Sequence, residues 1–370
     1  MKESFEQIED PRQKTKVRHL LHEIIIMTIC GVLANGDTYE EITDWCEGNR
    51  EWLKERLGLI LEYGVPSIST FEKVWRIVDR EAFRKAFQAW VTKTWEKQQT
   101  NTLCVDGKTL RGSKDGDRNP THVISVWVKE NGLVLAQKAV GEKTNEITEV
   151  PRLLRFLDLE GCTVTADAMS CQSTITQVIA EQKGNNVLAL KANQPALLAY
   201  AETNLKPYVD QRQICPDITR HQTTDKGHGR VEVREYFLST DLDGSAESSR
   251  FAGIKAIGMV RSSVTKGEET TVEYRYYITS LTDVEAFAYS VRSHWSIENC
   301  LHYSLDISFN EDDSRIRKDN APENLAIIRH FALSALKQVP HNSRTSIKAL
   351  RKRASYDRSL LSLALSFLAL

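Results

Sequence analysis

The chain has 370 residues, of which 41% are hydrophobic and 27% are charged, so it can bury a large core and form two or three domains. Its longest apolar run, residues 24–34, is too short to cross a bilayer, which argues against a membrane-spanning protein. Seven cysteines without a CxxC pair argue against a structural zinc site and favour reduced thiols in the cytoplasm.

The charge is distributed unevenly along the chain. The formal net charge of −1 does not by itself favour a nucleic-acid partner. Residues 314–370, however, contain 11 Lys or Arg against three acids, which gives +8 there and leaves −9 for residues 1–313. We interpret the basic end as a candidate phosphate-binding surface, and a solvated helical face is the simpler alternative.

Residues 1–98 have the apolar periodicity of helices throughout. Thr38 with Glu41, and Ser69 with Glu72, have the spacing of capping boxes and predict two helix starts. We therefore predict an all-helical N-terminal domain. It is either a DNA-reading module or a domain for packing and dimerisation.

Between residues 99 and 338 the pattern changes to alternating strands and helices. Their predicted order is β-β-β-α-β-α-β, at residues 102–106, 122–129, 133–140, 146–157, 162–166, 171–183 and 186–190. This order predicts the α/β class, with a ribonuclease-H-like catalytic domain whose mixed sheet carries helices on its faces.

The rest of the chain departs from this alternation. Residues 195–285 are interpreted as a β-rich insertion, with a helix at 195–205 and strands at 230–238, 251–260 and 271–279. Further helices are predicted at 283–293, 296–307 and 321–338. Residues 339–370 form a basic helical C-terminal tail in this interpretation.

Three acidic residues are the strongest candidates for chemistry. Asp106 and Asp167 each follow an apolar strand-like run, and the carboxyl ends of neighbouring strands open onto a common crevice. Glu298 flanks the apolar stripe of a predicted helix. A single aspartate at a strand end is usually a turn former or a helix cap. Because three such acids occur together, we favour a metal site.

Three carboxylates suit the cleavage of a phosphodiester. Two Mg²⁺ ions about 3.5–4 Å apart activate the attacking oxygen and stabilise the leaving oxygen. A competing interpretation uses His294, Glu298 and His302 as zinc ligands, but this stretch lacks the HExxH order. The acids at 311–313 compete with Glu298 as third ligand, and we prefer Glu298 because a helix interior fixes its direction.

Five motifs resemble the DDE transposases of insertion sequences, and among them the H-repeat-associated group of the IS-four-like class. They are VDGKTLRGS (105–113), TADAMSCQ (165–172), ALKANQ (189–194), HGRVEVR (228–234) and RSHWSIENCLHYSLDISFNEDDSRIR (292–317). The resemblance extends from about residue 10 to residue 353. It implies a ribonuclease-H-like catalytic domain that cleaves DNA strands at element ends and transfers them to target DNA.

The resemblance also implies site residues, a cofactor and partners. It places the catalytic and metal-binding acids at Asp106, Asp167 and Glu298, with two Mg²⁺ ions that Mn²⁺ can replace. The partners it implies are terminal inverted repeats and target DNA, with a homodimer on DNA and a bacterial cytoplasmic setting at the nucleoid. The residues that are candidates for DNA contact are Lys108, Arg111, Lys191, His228, Arg230, Arg292 and His294.

The chain departs from the pattern of the wider class around the glutamate. A Tyr, an Arg and a Lys accompany that residue there, whereas these positions hold Val291, His294 and Leu305 in this chain. Arg292 is a candidate substitute for the missing arginine. Two alternatives to an active transposase therefore stay open: an inactive DNA-binding remnant and a structure-specific nuclease on the same fold.

Overall fold

The structure is a computed structural model that describes residues 5–95, 101–141, 145–211, 217–227, 229–245, 247–342 and 344–367. The chain divides into two compact units. The first unit comprises Met1–Glu96, Gly107–Val140 and Glu298–Leu370, and the second comprises Lys97–Asp106 and Gly141–Ile297. Among the described residues, no helix combines the length and the apolar character needed to cross a membrane.

The strands occur in the order that the sequence predicts, with one addition. They are β1 Thr102–Thr109, β2 His122–Val128, β3 Leu133–Val140, β4 Thr163–Ala166, β5 Asn185–Leu190, β6 Ile218–Gly227, β7 Arg230–Ser239, β8 Ala256–Lys266 and β9 Glu269–Thr279. Strand β6 was not predicted, because its ten residues are mostly polar and show no apolar alternation. Strand β8 begins at Ala256 rather than at residue 251, because a 3₁₀ turn at Ser248–Arg250 and a further turn precede it.

The helices have the following bounds. They are α1 Leu21–Leu33, α2 Tyr39–Gly48, α3 Arg50–Leu57, α4 Ile68–Ile77, α5 Arg80–Thr94, α6 Glu146–Leu154, α7 Ser173–Glu181, α8 Pro195–Gln211, α9 Val284–Ser296, α10 Tyr303–Phe309, α11 Ala321–Gln338, α12 Ile347–Ala354 and α13 Arg358–Phe367. A π-helical segment, Ile297–His302, joins α9 to α10.

The two predicted capping boxes have different outcomes. Thr38 and Glu41 form the reciprocal pair at the start of α2, as predicted. The box at Ser69 is wrong, because α4 begins earlier, at Ile68, with Ser67 as its N-cap. The hydroxyl of Ser67 bonds to neighbouring hydroxyls instead of capping the backbone.

The first unit is built around two buried helices. Nearly every residue of α1 is buried, as expected for a helix that is apolar on most of its surface. Helix α11 is buried from Ala321 to Leu336, although this stretch includes Glu323 and Arg329. Phe331 of α11 packs edge-on against Phe87 and lies beside Trp90 of α5. Segments from both ends of the chain therefore share one core with the β2–β3 hairpin.

The second unit contains a mixed sheet with the strand order β1-β4-β5-β9-β8-β7-β6. Strands β1, β4 and β5 are parallel to one another. The remaining neighbours, β5–β9, β9–β8, β8–β7 and β7–β6, are antiparallel pairs. The β-rich insertion supplies β6 to β9, which extend the sheet beyond β5. The ends of these strands that lie next to the β6–β7 and β8–β9 turns are partly or fully exposed. The α/β class is thereby confirmed, whereas the ribonuclease-H-like topology stays a prediction.

Candidate active site

Asp106 and Asp167 follow neighbouring positions of two parallel strands. In the register of β1 and β4, Val105 is paired with Ala166, and each aspartate is the next residue along its strand. Both side chains are half-buried. Strand β4 ends at Ala166 as predicted, whereas β1 continues to Thr109 instead of ending at residue 106, so Asp106 lies within β1 just beyond its last pair with β4.

The backbone of β1 is fixed beside helix α9. The thiol of Cys104 donates to the carbonyl oxygen of Ser293 at 3.1 Å, and Cys104 is fully buried. Because Cys104 lies two residues before Asp106, this contact holds the part of β1 that carries the carboxylate.

Asp167 opens onto a cavity of about 510 Å³ at the ends of β4 and β5. Its Oδ1 accepts a hydrogen bond from the backbone N–H of Ser170 at 3.1 Å, which leaves carboxylate lone pairs for other ligands. Lys191 and His294 also line the cavity. Besides Asp167, the carboxylates of Glu202 and Glu273 line the cavity, so it combines acidic groups with the nitrogen groups of Lys191 and His294.

His294 is held by its neighbours in the second unit. Its Nδ1 lies 3.1 Å from the hydroxyl of Thr165, one of the last residues of β4. Burial lowers the pKa of His294, and the nearby carboxylate of Asp167 opposes that shift only in part. His294 is consequently a neutral imidazole at neutral pH, so it offers a hydrogen bond rather than a positive charge.

Three residues of the cavity wall were not identified from the sequence. Arg275 donates to both carboxylate oxygens of Glu273, at 2.9 and 2.8 Å, and its guanidinium lies 4.9 Å from the ring centroid of Trp295. The salt bridge to Glu273 raises the pKa of Arg275. The alternation along β9 indicates a strand, but no local pattern shows which of its polar side chains face a cavity.

Glu298 belongs to the first unit and lies on the π-helical segment. Its side chain is largely exposed, and Oε2 lies 3.9 Å from Nδ1 of His302. The predicted apolar stripe beside it is confirmed, since Ile297, Leu301 and Leu305 are fully buried. Single π turns within helices are frequent at functional sites, because the wider turn redirects side chains.

Lys108, a candidate for DNA contact, is surrounded by carboxylates of the first unit. Its Nζ lies 2.7 Å from both Asp306 and Asp312 and 3.6 Å from Glu311, and its side chain is only 12% exposed. Burial lowers the pKa of Lys108, but the three carboxylates outweigh it and the net shift is upward. Arg111, by contrast, is largely exposed and has a loose contact with Asp312 at 3.4 Å.

The other candidates for DNA contact differ in their surroundings. Lys191, Arg230 and Arg292 are exposed, and Arg292 lies 3.9 Å from Asp225. His228 lies outside the described residues.

Two arginines of the basic C-terminal region are not available at the surface. Arg329 and Arg351 are buried in the first unit. This part of the prediction of a solvent-facing phosphate surface is therefore wrong. Both guanidinium groups instead have protein partners, Ser314 for Arg329 and Asp37 for Arg351.

Comparison with known proteins covers most of the chain. Residues 2–91 match the family described as DDE_Tnp_1-associated, and residues 97–335 match the family described as Transposase DDE domain. A protein of Escherichia coli O157:H7 named "Putative transposase YncI" is 35% identical over 95% of this chain and 90% of its own length. The "H repeat-associated putative transposase YhhI" of E. coli K12 is 33% identical over 97% of this chain and 96% of its own length. A shorter match, to the "Inactive transposase YbfQ" of E. coli K12, is 35% identical over 18% of this chain and 75% of that protein.

Proposed function

This chain belongs to the DDE transposase family, and we propose that it is an active enzyme that cleaves DNA strands at element ends and transfers them to target DNA. The observation that carries the proposal is the register of β1 and β4, in which Asp106 and Asp167 each come one residue after the last pair of these two strands. Family membership supports nuclease-type chemistry. The intact acids at 106, 167 and 298 support an active rather than a decayed copy.

We propose that Asp106, Asp167 and Glu298 are the metal-binding and catalytic acids. All three offer carboxylate oxygens, the hard ligands that Mg²⁺ prefers, and Asp167 keeps lone pairs beyond its single described hydrogen bond. When bound, two Mg²⁺ ions supply an activated oxygen nucleophile and stabilise the leaving oxygen, and Mn²⁺ can replace them. The DDE transposase family uses divalent metal ions in this way.

The chain's own residues would position the DNA. Exposed cations bind phosphate oxygens, and in this proposal they are Arg111, Lys191, Arg230 and Arg292. Lys108 and His294 already have protein partners, so DNA contact by either would compete with those partners. Binding of terminal inverted repeats should weaken steeply with salt, because each phosphate contact releases counterions. Joining two ends calls for two copies on DNA.

The test is metal-dependent nicking of a duplex that carries the repeats flanking the gene. Asp106→Asn, Asp167→Asn and Glu298→Gln should each lower the nicking rate on the order of 10³-fold or more, with DNA binding in gel shifts preserved. Asp243→Asn is the matched control, since this exposed acid of the second unit lies outside the proposed set and outside the competing acids at 311–313, and it should keep full activity. Wild-type activity in any of the first three variants would remove that residue from the mechanism.

Two other functions are separated by the same assays. The relative named as inactive, together with His294 and Leu305 at the family's Arg and Lys positions, favours a DNA-binding remnant as the second candidate. Such a protein would bind the repeats without nicking in Mg²⁺ or Mn²⁺. A structure-specific nuclease would nick DNA but would form no joined product in a strand-transfer assay.

A further inference from the structure

A single apolar side chain projects from the turn that carries Asp167. Met169 is 51% exposed, whereas its neighbours Ala168, Ser170 and Cys171 are buried. Large apolar residues on a protein surface are common and need no explanation when the chain around them is loose. The turn at residues 167–172 is instead fixed by hydrogen bonds, which indicates that the position of Met169 matters for function.

Side-chain amides fix the turn at three carbonyl oxygens. Asn193 donates to the carbonyl oxygen of Ala168 at 2.6 Å, and Gln194 donates to that of Cys171 at 2.9 Å. Both amides come from the loop that follows β5. Gln172 donates to the carbonyl oxygen of Met169 itself at 3.1 Å.

The carboxylate and the methionine are held by the same turn. Asp167 accepts from the backbone N–H of Ser170, which closes the turn around the two residues between them. Consecutive Cα atoms are about 3.8 Å apart, so the Cα atoms of Asp167 and Met169 are separated by at most about 7 Å. The exposed thioether is therefore anchored on the backbone within about 7 Å of the residue that carries the carboxylate.

We propose that Met169 is an apolar wedge that inserts between two neighbouring bases of the DNA beside the phosphodiester held at Asp167. The inference rests on the proposed function. Methionine suits the role because it is unbranched, polarisable and free of hydrogen-bonding needs, so it can stack against any base. Proteins that kink DNA use apolar side chains, methionine among them, to unstack a base step.

The wedge gives the enzyme a way to open its substrate. Unstacking one step kinks the duplex and turns the adjoining phosphate outward, toward Asp167 and Lys191, which line the same cavity. The cost of unstacking is offset only if the inserted side chain is held still. The amides of Asn193 and Gln194 hold the backbone on both sides of Met169 and so meet that requirement.

The experiment measures base unstacking and cleavage in the full-length protein. Duplexes carry 2-aminopurine, whose fluorescence rises on unstacking, at successive positions around the cleavage site, and Ca²⁺ replaces Mg²⁺ to prevent nicking. The wild type should raise the fluorescence several-fold at one step. Met169→Ala should abolish the rise, and Met169→Leu should retain most of it. Phe156→Ala removes an apolar side chain of the same unit that is even more exposed, at 66%, and should behave as the wild type.

Cleavage supplies an independent readout. With Mg²⁺, Met169→Ala should nick an intact duplex about tenfold more slowly than the wild type, and a mismatch at the affected step should restore the rate, because that step is already unstacked. Equal fluorescence in wild type and Met169→Ala, or equal loss in Phe156→Ala, would overturn the wedge while leaving the proposed function intact. A wild-type protein that nicks no repeat-bearing duplex would overturn both.

Discussion

Arg351 is predicted to be essential for the stability of the first unit and dispensable as a DNA contact. Its guanidinium donates to the carbonyl oxygens of Val32 at 2.8 Å, Ser308 at 2.5 Å and Gly36 at 2.9 Å. It also lies 2.7 Å from the carboxylate of Asp37, and its side chain is only 1% exposed. One side chain of α12 therefore joins the ends of α1 and α10.

The expected cost of losing this group follows from its partners. Burial lowers the pKa of Arg351, with Asp37 opposing the shift. Arginine nevertheless stays charged in proteins. Replacing it with methionine keeps much of the volume but leaves a carboxylate and three carbonyl oxygens without their donor. Breaking a buried ion pair from one side costs about 3–5 kcal/mol. We therefore expect Arg351→Met to lower the free energy of unfolding by about 3–5 kcal/mol.

Urea unfolding followed by circular dichroism and tryptophan fluorescence measures this change. Arg353→Met is the matched control, because Arg353 lies two residues away on the same helix, is 58% exposed and pairs with Asp357. Surface ion pairs contribute about 0–1 kcal/mol, so the control should be nearly neutral. If the two variants lose the same stability, or if Arg351→Met folds normally but loses DNA affinity, the structural role assigned to Arg351 is refuted.

Three further predictions concern buried groups. Lys108→Met should lower the free energy of unfolding by about 2–4 kcal/mol in urea titrations, because it removes the buried cation that three carboxylates share. The exposed Arg111→Met should change it by less than about 1 kcal/mol. Burial and nearby cations lower the pKa of His330 to about 3. As the pH falls below about 6.5, the imidazole is therefore protonated in the unfolded chain but not in the folded chain. The folded state loses stability until the pH reaches about 3. His330→Leu should remove about 2 kcal/mol of the loss between pH 7 and 5, and an unchanged slope of stability against pH would contradict this. Gly258→Ala would place a methyl group against the ring of Phe287 on α9, so it should lower the free energy of unfolding by about 1–3 kcal/mol in a thermal-unfolding assay. Gly227→Ala has open space around it and should be tolerated in that assay.

Much of the site could be predicted because its determinants are local. The apolar runs before Asp106 and Asp167 predict β1 and β4, although β1 continues to Thr109, beyond its apolar run. The capping box at Thr38 and the apolar stripe beside Glu298 are likewise read from positions three or four apart. Strand β6 was missed because a strand that is exposed on both faces carries no apolar alternation.

Composition and local pattern by themselves determined the α/β class and the succession of most strands and helices along the chain, because neighbours in the chain set the backbone conformation. The tertiary structure decided which charges stay at the surface. Lys108, Arg329 and Arg351 look alike in the sequence as candidates for phosphate contact, yet each is neutralised by groups that lie far away along the chain. A cation is buried only where the fold supplies carboxylates and carbonyl oxygens around it, and no short stretch of sequence contains those partners.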